Sequence, residues 1–184
     1  MMMKDMGGNC LLSGDKVFLD ALEEADIPIL ASWYRDTEFL RNYDFDPAFP
    51  KSEEQLKSMY LGQQKETSAI FAIREQRTGK LVGLCGLMNI SFSNRFSWIF
   101  IGLGSDQGKG YGTQALSLLI RFAFHELNLE RLQLNVIAYN HRAIALYEKL
   151  GFRREGAFRQ AILRDGKRTD LLLYGLLAGE WTEG

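Results

Sequence analysis

With 184 residues, 46% of them hydrophobic, the chain has the length and apolar content of one domain with a sizeable core. Its net charge of −1 argues against the overall basic field of a nucleic-acid-binding protein. No run reaches the ~18 apolar residues of a membrane-spanning helix, so we expect no membrane partner. Cys10 and Cys85 lack framework and metal-site spacing, which predicts free thiols in a reducing, cytoplasmic compartment and no bound metal.

The N-terminal third predicts a tail, an edge strand and two helices. Residues 1–14 lack the apolar core of a signal peptide and are expected to form a flexible tail, with a single domain over 15–184. Residues 17–19 suit a short edge strand. A first helix is expected from 23 to 34, where acidic residues open it and Leu30, Trp33 and Tyr34 supply its apolar face. After a break with two prolines at 44–50, a second helix is expected over 52–63.

The middle of the chain predicts three strands and a glycine-rich turn. Residues 69–74 and 81–88 suit a hairpin, and 95–103 suits a buried strand. Three glycines follow at alternate positions. The helix after them has apolar residues spaced on one face, at Leu116, Leu119, Ile120, Ala123 and Leu127. Because glycine permits close backbone approach and a helix start offers unpaired N–H groups, this turn predicts a phosphate site.

Two common nucleotide motifs fit this turn poorly. A P-loop needs Gly-x-x-x-x-Gly-Lys-Ser/Thr, and the chain has no such run. A dinucleotide fingerprint needs Gly-x-Gly-x-x-Gly, whereas the spacing here is Gly-x-Gly-x-Gly. A βαβ unit this late also leaves no room for the second half of such a fold.

The remaining elements predict one mixed sheet with helices on both faces. A half-buried strand is expected over 132–136, followed by a helix capped by Asn140 and ended by Gly151. Residues 152–163 and 170–177 suit a closing hairpin. The predicted order is β-α-α-β-β-β-α-β-α-β-β, an α/β fold.

Two motifs carry a family resemblance. Gln107-x-x-Gly110-x-Gly112 after a strand resembles the acetyl-CoA signature of the GCN5-related N-acetyltransferase (GNAT) superfamily. The block from Asn140 to Phe152, with Ala143, Tyr147, Lys149 and Gly151, is similar to the downstream segment of that superfamily. The run Gly108-Lys109-Gly110-Tyr111-Gly112 and the later Asp165-Gly166-Lys167 look most like the branch of ribosomal-protein and polyamine acetyltransferases.

The resemblance implies a fold, a cofactor and a set of binding residues. In this superfamily the strands equivalent to 95–103 and 132–136 are parallel and splay apart, and a bulge in the first leaves backbone groups free to pair with pantetheine. The cofactor implied is acetyl-CoA, with coenzyme A as product. The positions that match its binding residues are Ile101, Gly102, Leu103, Gln107, Gly108, Lys109, Gly110, Tyr111, Gly112, Thr113 and Asn140.

The implied activity needs a proton donor for the departing thiolate, and Tyr147 is the candidate. It lies seven residues after Asn140, so both side chains point to one side of the helix. Family members often use a tyrosine here as the acid, although core packing is the competing interpretation. No general base can be assigned, because Glu75, Asp170, His125 and His141 all suit surface or structural positions.

We therefore expect an acetyl-CoA-dependent N-acetyltransferase that acts on a primary amine of a small molecule or a protein N-terminus. Acceptor specificity is expected in residues 33–60 and 153–170. A non-catalytic acyl-CoA-binding module on the same fold is the alternative, since a fold does not set a function. The hydrophobic closing hairpin also makes a homodimer possible.

Overall fold

The computed structural model describes residues 11–62 and 66–183. Seven strands form one mixed sheet in the order β1-β2-β3-β4-β5-β7-β6; β4 and β5 are parallel and all other neighbours antiparallel. The elements are β1 Val17–Ala21, α1 Ile27–Trp33, α2 Thr37–Tyr43, α3 Glu53–Tyr60, β2 Ala69–Glu75, β3 Leu81–Ser91, β4 Phe96–Leu103, α4 Tyr111–Arg121, β5 Arg131–Ile137, α5 His141–Lys149, β6 Arg153–Arg164 and β7 Lys167–Leu177. This confirms the predicted α/β class and every predicted strand.

The helices cover both faces of the sheet, each over its own apolar core. The larger core packs α4 and α5 against one face and includes Leu116, Leu119 and Tyr147. The smaller core packs α1 and α3 against the other face and includes Leu30 and Leu56. In the described part of the chain, no helix has the length and apolar character to cross a membrane.

The helix α2 is absent from the sequence prediction. The Asp36 carboxylate caps it by accepting the backbone N–H groups of Glu38 and Phe39. Of its seven residues only Leu40 is buried. One buried residue in two turns leaves no apolar period to detect, so the pattern offered no helix signal.

Part of the expected tail is folded. Leu12 packs against the larger core, and its carbonyl accepts a hydrogen bond from the Leu19 backbone at 2.8 Å. The Arg121 guanidinium binds the carbonyl of Leu11. Residues 11–14 therefore contact distant strands and helices, and the boundary between tail and domain stays a prediction. The rest of the expected tail, residues 1–10, lies outside the described residues.

The parallel strands β4 and β5 diverge, as the resemblance implied. They pair only from Phe96 to Trp98 on β4, opposite Arg131 to Gln133 on β5. The expected bulge near Ile101 is not found, because the register of β4 against β3 is unbroken from Trp98 to Leu103. The free edge of β4 therefore comes from divergence of the strands rather than from an inserted residue.

Candidate active site

The diverging strands open a cleft of about 560 Å³ between β4 and α5. Its floor is the end of β4, and α2 forms one wall. The start of α5 forms the other wall. The lining residues are Asp36, Glu38, Phe39, Asn42, Tyr43, Ile101, Gly102, Leu103, Gly104, Gln107, Tyr139, Asn140, His141, Arg142, Ala143 and Leu146.

Main-chain groups of β4 face this cleft. The Gly104 N–H donates to the Val82 carbonyl at 3.1 Å, and hydrogen-bonded pairs recur at every second residue of an antiparallel ladder. Gly102 therefore pairs toward β3, whereas the N–H and C=O groups of Ile101 and Leu103 point toward the gap left by β5. Gly102 has a packing role instead, because a Cβ there would lie 2.6 Å from the Tyr43 ring.

The glycine-rich turn connects β4 to α4 through left-handed backbone. Gly108 and Gly110 have φ of +89° and +83°, values that side-chain-bearing residues rarely adopt. Gly110 is the N-cap of α4, and no side chain in the described chain caps this helix. Its first N–H groups are consequently available to an anion.

Three lysines surround the turn. The Asp106 carboxylate binds Lys109 at 2.6 Å and Lys80 at 2.8 Å, and these hydrogen bonds hold the pKa of Asp106 well below its usual range. The Lys16 ammonium donates to the Lys109 carbonyl at 3.1 Å. The carboxylates of Asp106 and Glu75, which both act on Lys109, offset two of these three cations, so the turn keeps a net positive charge.

Other side chains fix the position of the turn. The Gln107 amide donates to the Leu103 carbonyl at 3.1 Å and accepts from the Arg142 guanidinium, which ties the turn to α5. The Tyr111 hydroxyl donates to Glu75 at 2.6 Å. Gln107 thus lines the cleft, whereas Tyr111 anchors α4 to β2.

The predicted cofactor residues thus fall into two sets. Ile101, Gly102, Leu103, Gln107 and Asn140 line the cleft directly. The remaining residues form the turn and the first residues of α4, outside the lining: Gly108, Lys109, Gly110, Tyr111, Gly112 and Thr113.

Asn140 combines two roles at the start of α5. Its side-chain oxygen accepts the Ala143 N–H at 3.1 Å, which caps the helix. Its amide nitrogen donates to the Asn42 carbonyl at 3.2 Å, which joins α5 to α2. The two interpretations of Asn140, cap and cleft residue, are therefore compatible.

A second cavity of about 220 Å³ adjoins the cleft, with which it shares several lining residues. It reaches through the gap between β4 and β5 to the face that carries α2. Its lining is Asn42, Tyr43, Phe45, Met88, Trp98, Ile99, Phe100, Ile101, Asn135, Val136, Ile137, Asn140, Ala143 and Tyr147. The arrangement provides two connected compartments, one beside the phosphate turn and one in the gap between β4 and β5, with α2 residues in the walls of both.

Tyr147 lines this second cavity and is otherwise buried. Only 6% of its surface is exposed, and its ring lies edge-on to Phe152 at 5.8 Å. Burial raises the pKa of Tyr147 to about 12, so the hydroxyl keeps its proton at neutral pH. The side chain therefore packs in the core and also offers a proton donor to the cavity.

Of the other candidates for acid–base chemistry, Glu75, Asp170, His125 and His141, none lines the second cavity. Glu75 accepts from Tyr111, and Asp170 accepts the Gln160 backbone N–H at 2.8 Å. His125 packs against Trp181. His141 lines only the larger cleft.

Sequence reasoning missed several residues of the second cavity. From the expected specificity segment 33–60, Asn42, Tyr43 and Phe45 line it, but no residue of 153–170 does. Asn135, on β5, was overlooked. Its only sequence signal was a polar residue in an alternating strand, which ordinarily indicates a solvent-facing position.

A family model described as an acetyltransferase (GNAT) domain matches residues 16–153. Among curated proteins, the uncharacterized N-acetyltransferase YokL of Bacillus subtilis is 28% identical over 92% of this chain and 94% of its own length. The [ribosomal protein uS5]-alanine N-acetyltransferase of Escherichia coli is 25% identical over 94% of this chain and 93% of its own.

Solved structures show the same fold. The spermidine N-acetyltransferase of Vibrio cholerae, crystallised in complex with CoA and spermine, superposes with a TM-score of 0.82. It covers 91% of this chain and 98% of its own, with 24% sequence identity.

Proposed function

Because the chain belongs to the acetyltransferase (GNAT) family, we propose that it transfers the acetyl group of acetyl-CoA directly to a primary amine in a ternary complex. The observation that carries this proposal is the pair of connected cavities. One cavity adjoins the phosphate-type turn and the free edge of β4. The other lies in the gap between β4 and β5 and includes Tyr147 in its lining.

The residues present fit acetyl-CoA. The uncapped start of α4 and the lysines around Asp106 suit the pyrophosphate. The main-chain N–H and C=O of Ile101 and the N–H of Leu103 suit the amides of pantetheine, which would extend the sheet as an added strand. The Gln107 side chain already occupies the Leu103 carbonyl.

When bound, acetyl-CoA supplies an activated thioester. The protein holds the amine and the thioester in adjoining cavities, which by itself lowers the barrier by several kcal/mol. The amine nitrogen bonds to the acetyl carbon and loses a proton to water, while the carbon–sulfur bond breaks. The Tyr147 hydroxyl provides a proton for the sulfur.

The direct test is release of the CoA thiol from acetyl-CoA across a panel of primary amines and peptide N-termini, with amine-free samples as the control. We expect thiol release that depends on the amine and saturates with it. Tight binding of acetyl-CoA without amine-dependent release would instead support a binding or sensing module. The second cavity argues against that alternative, because a pure acyl-CoA binder needs no amine compartment.

The proposal also covers the acceptor amine, the oligomeric state and the cellular compartment. The relatives act on a ribosomal protein or on spermidine, which supports a protein N-terminus or a small amine as acceptor. The edge strand β6 exposes Phe158 and Leu163, which supports a homodimer. The buried free thiol of Cys85 suits the reducing cytoplasm.

A further inference from the structure

The second cavity differs from the cleft in its electrostatics. Carboxylates of Asp36 and Glu38 and the guanidinium of Arg142 line the larger cleft. The lining of the second cavity, as far as the structure describes the chain, contains no charged side chain. Its walls are aromatic and aliphatic, and its polar side chains are tyrosines and asparagines.

Asn135 is the unpaired polar group of this cavity. Its side-chain oxygen is buried and has no hydrogen-bond partner in the described part of the chain. The next residues on either side, Leu134 and Val136, belong to the larger core, so Asn135 points to the opposite face of β5. Leaving a buried amide oxygen unpaired costs free energy in the unliganded protein. An N–H donor in the cavity would remove that cost.

The size of the cavity limits what enters. A volume of about 220 Å³ lies below the ~300–1,000 Å³ of pockets for drug-sized ligands. It suits an amine with one side-chain-sized substituent. Phe45 and Met88, which are 40% and 46% exposed, give this compartment an apolar rim.

We propose that Asn135 accepts a hydrogen bond from the acceptor amine, and that the acceptor is a monoamine whose substituent is apolar. This inference rests on the proposed acetyltransferase function and deepens it. The bond orients the neutral amine with its lone pair free for the acetyl carbon. A second ammonium group is rejected, because burying a charge without a counter-ion is costly. Small apolar amines and peptide N-termini with an apolar first residue share this chemistry.

The test compares butylamine with 1,4-diaminobutane, which differ by one ammonium group. We expect butylamine to have at least a tenfold higher kcat/KM at the same pH. A peptide that begins with alanine is assayed in parallel. Its kcat/KM relative to that of butylamine shows whether the preferred acceptor is a peptide N-terminus or a small free amine. A preference for the diamine would overturn the inference but leave the acetyltransferase function intact. Absence of thiol release with every amine would overturn both.

Two variants test Asn135 itself. Asn135→Leu should lower kcat/KM for butylamine about tenfold, the factor that corresponds to one hydrogen bond of ~1.4 kcal/mol. Its acetyl-CoA affinity should be unchanged, and its melting temperature should equal or exceed that of wild type, because the unpaired oxygen is gone. Asn135→Asp keeps an acceptor atom and adds a negative charge, so it should raise the diamine-to-monoamine ratio of kcat/KM at least tenfold.

The matched control is Gln133→Leu. Gln133 is an amide on the same face of β5 that pairs with Arg131 and lies outside both cavities. We expect wild-type acceptor kinetics from this control. Equal kinetics of Asn135→Leu and wild type would overturn the role of Asn135, as would a large loss of stability in Asn135→Leu, which would indicate a structural amide.

Discussion

At the scale of single residues, Tyr147 packs in the larger core and is also the proposed proton donor. Tyr147→Phe keeps the ring against Phe152, so the free energy of unfolding at neutral pH should change by about 1 kcal/mol or less. Loss of a general acid typically costs about 10² to 10⁴ in rate. We expect a much lower kcat, unchanged acetyl-CoA affinity and a defect that shrinks as pH rises, because a thiolate then needs less help. Steady-state kinetics between pH 7 and 10 check this, and full activity would make Tyr147 a packing residue only.

The raised pKa of Tyr147 also predicts an alkaline stability difference. The hydroxyl has a pKa of about 12 in the fold and about 10 in an unfolded chain. The folded state therefore holds the proton more tightly. This stabilisation is fully present below pH 10 and is lost as pH rises from 10 to 12. Relative to Tyr147→Phe, the wild type should lose roughly 1 kcal/mol between pH 8 and 11 in urea unfolding. A constant difference would mean that Tyr147 titrates normally.

At the scale of elements, the turn before α4 is expected to bind the cofactor through its backbone. Gly110→Val places a β-branched residue at φ +83°, with its Cβ 2.9 Å from the Lys16 ammonium. The strain and the side chain should obstruct the pyrophosphate and abolish the stabilisation that acetyl-CoA gives in a thermal-shift assay. Gly79→Val is the control, since Gly79 has φ +69° in a turn without close neighbours. It should lower the melting temperature yet keep the ligand-induced shift. Normal acetyl-CoA binding by Gly110→Val would refute the assignment of the turn.

A second element-scale contact holds the wall of the acceptor cavity. The Arg164 guanidinium, at the tip of the β6–β7 hairpin, donates to the carbonyls of Asp44, Phe45 and Asp46. Arg164→Ala should release this segment and raise KM for the amine several-fold, with acetyl-CoA affinity unchanged. Arg168→Ala removes an arginine of the same hairpin whose hydrogen bond, among the described residues, goes to the Gln160 carbonyl within the hairpin, and it should leave KM unchanged. An equal effect of both variants would indicate general loosening of the hairpin.

This contact also explains how the expected specificity segments work together. Residues 33–60 supply side chains to the second cavity. Residues 153–170 do not line this cavity but contact the segment 41–46 beside it. The contacts are those of Arg164 and the ion pair of Asp165 with Arg41 at 2.5 Å. The hairpin therefore shapes the acceptor cavity without lining it.

At the scale of the whole molecule, one divergence of two strands creates the site. β4 and β5 pair over three residues and then separate, which opens the sheet between its two helical layers. The larger cleft lies between the end of β4, α2 and the start of α5, and the second cavity lies in the gap between β4 and β5, with α2 residues in the walls of both. Two reactants held in these adjoining cavities would meet at the same strands, which is the geometry that direct transfer requires.

Features with a local cause could be read from the sequence. The face of α4, the cap by Asn140 and the left-handed glycines depend on neighbours within a few residues, so their signals survive in the pattern. The motif from Gln107 to Gly112 identified the family for the same reason. Features decided by distant contacts left no such signal. The helix α2 is stabilised by packing of Leu40 in the smaller core and by the hydrogen bond from Asn140, and residues 11–14 are held by contacts with β1 and α4. Asn135 became a candidate only because the divergence of β4 and β5 turns a polar strand position into the wall of a cavity lined by uncharged side chains.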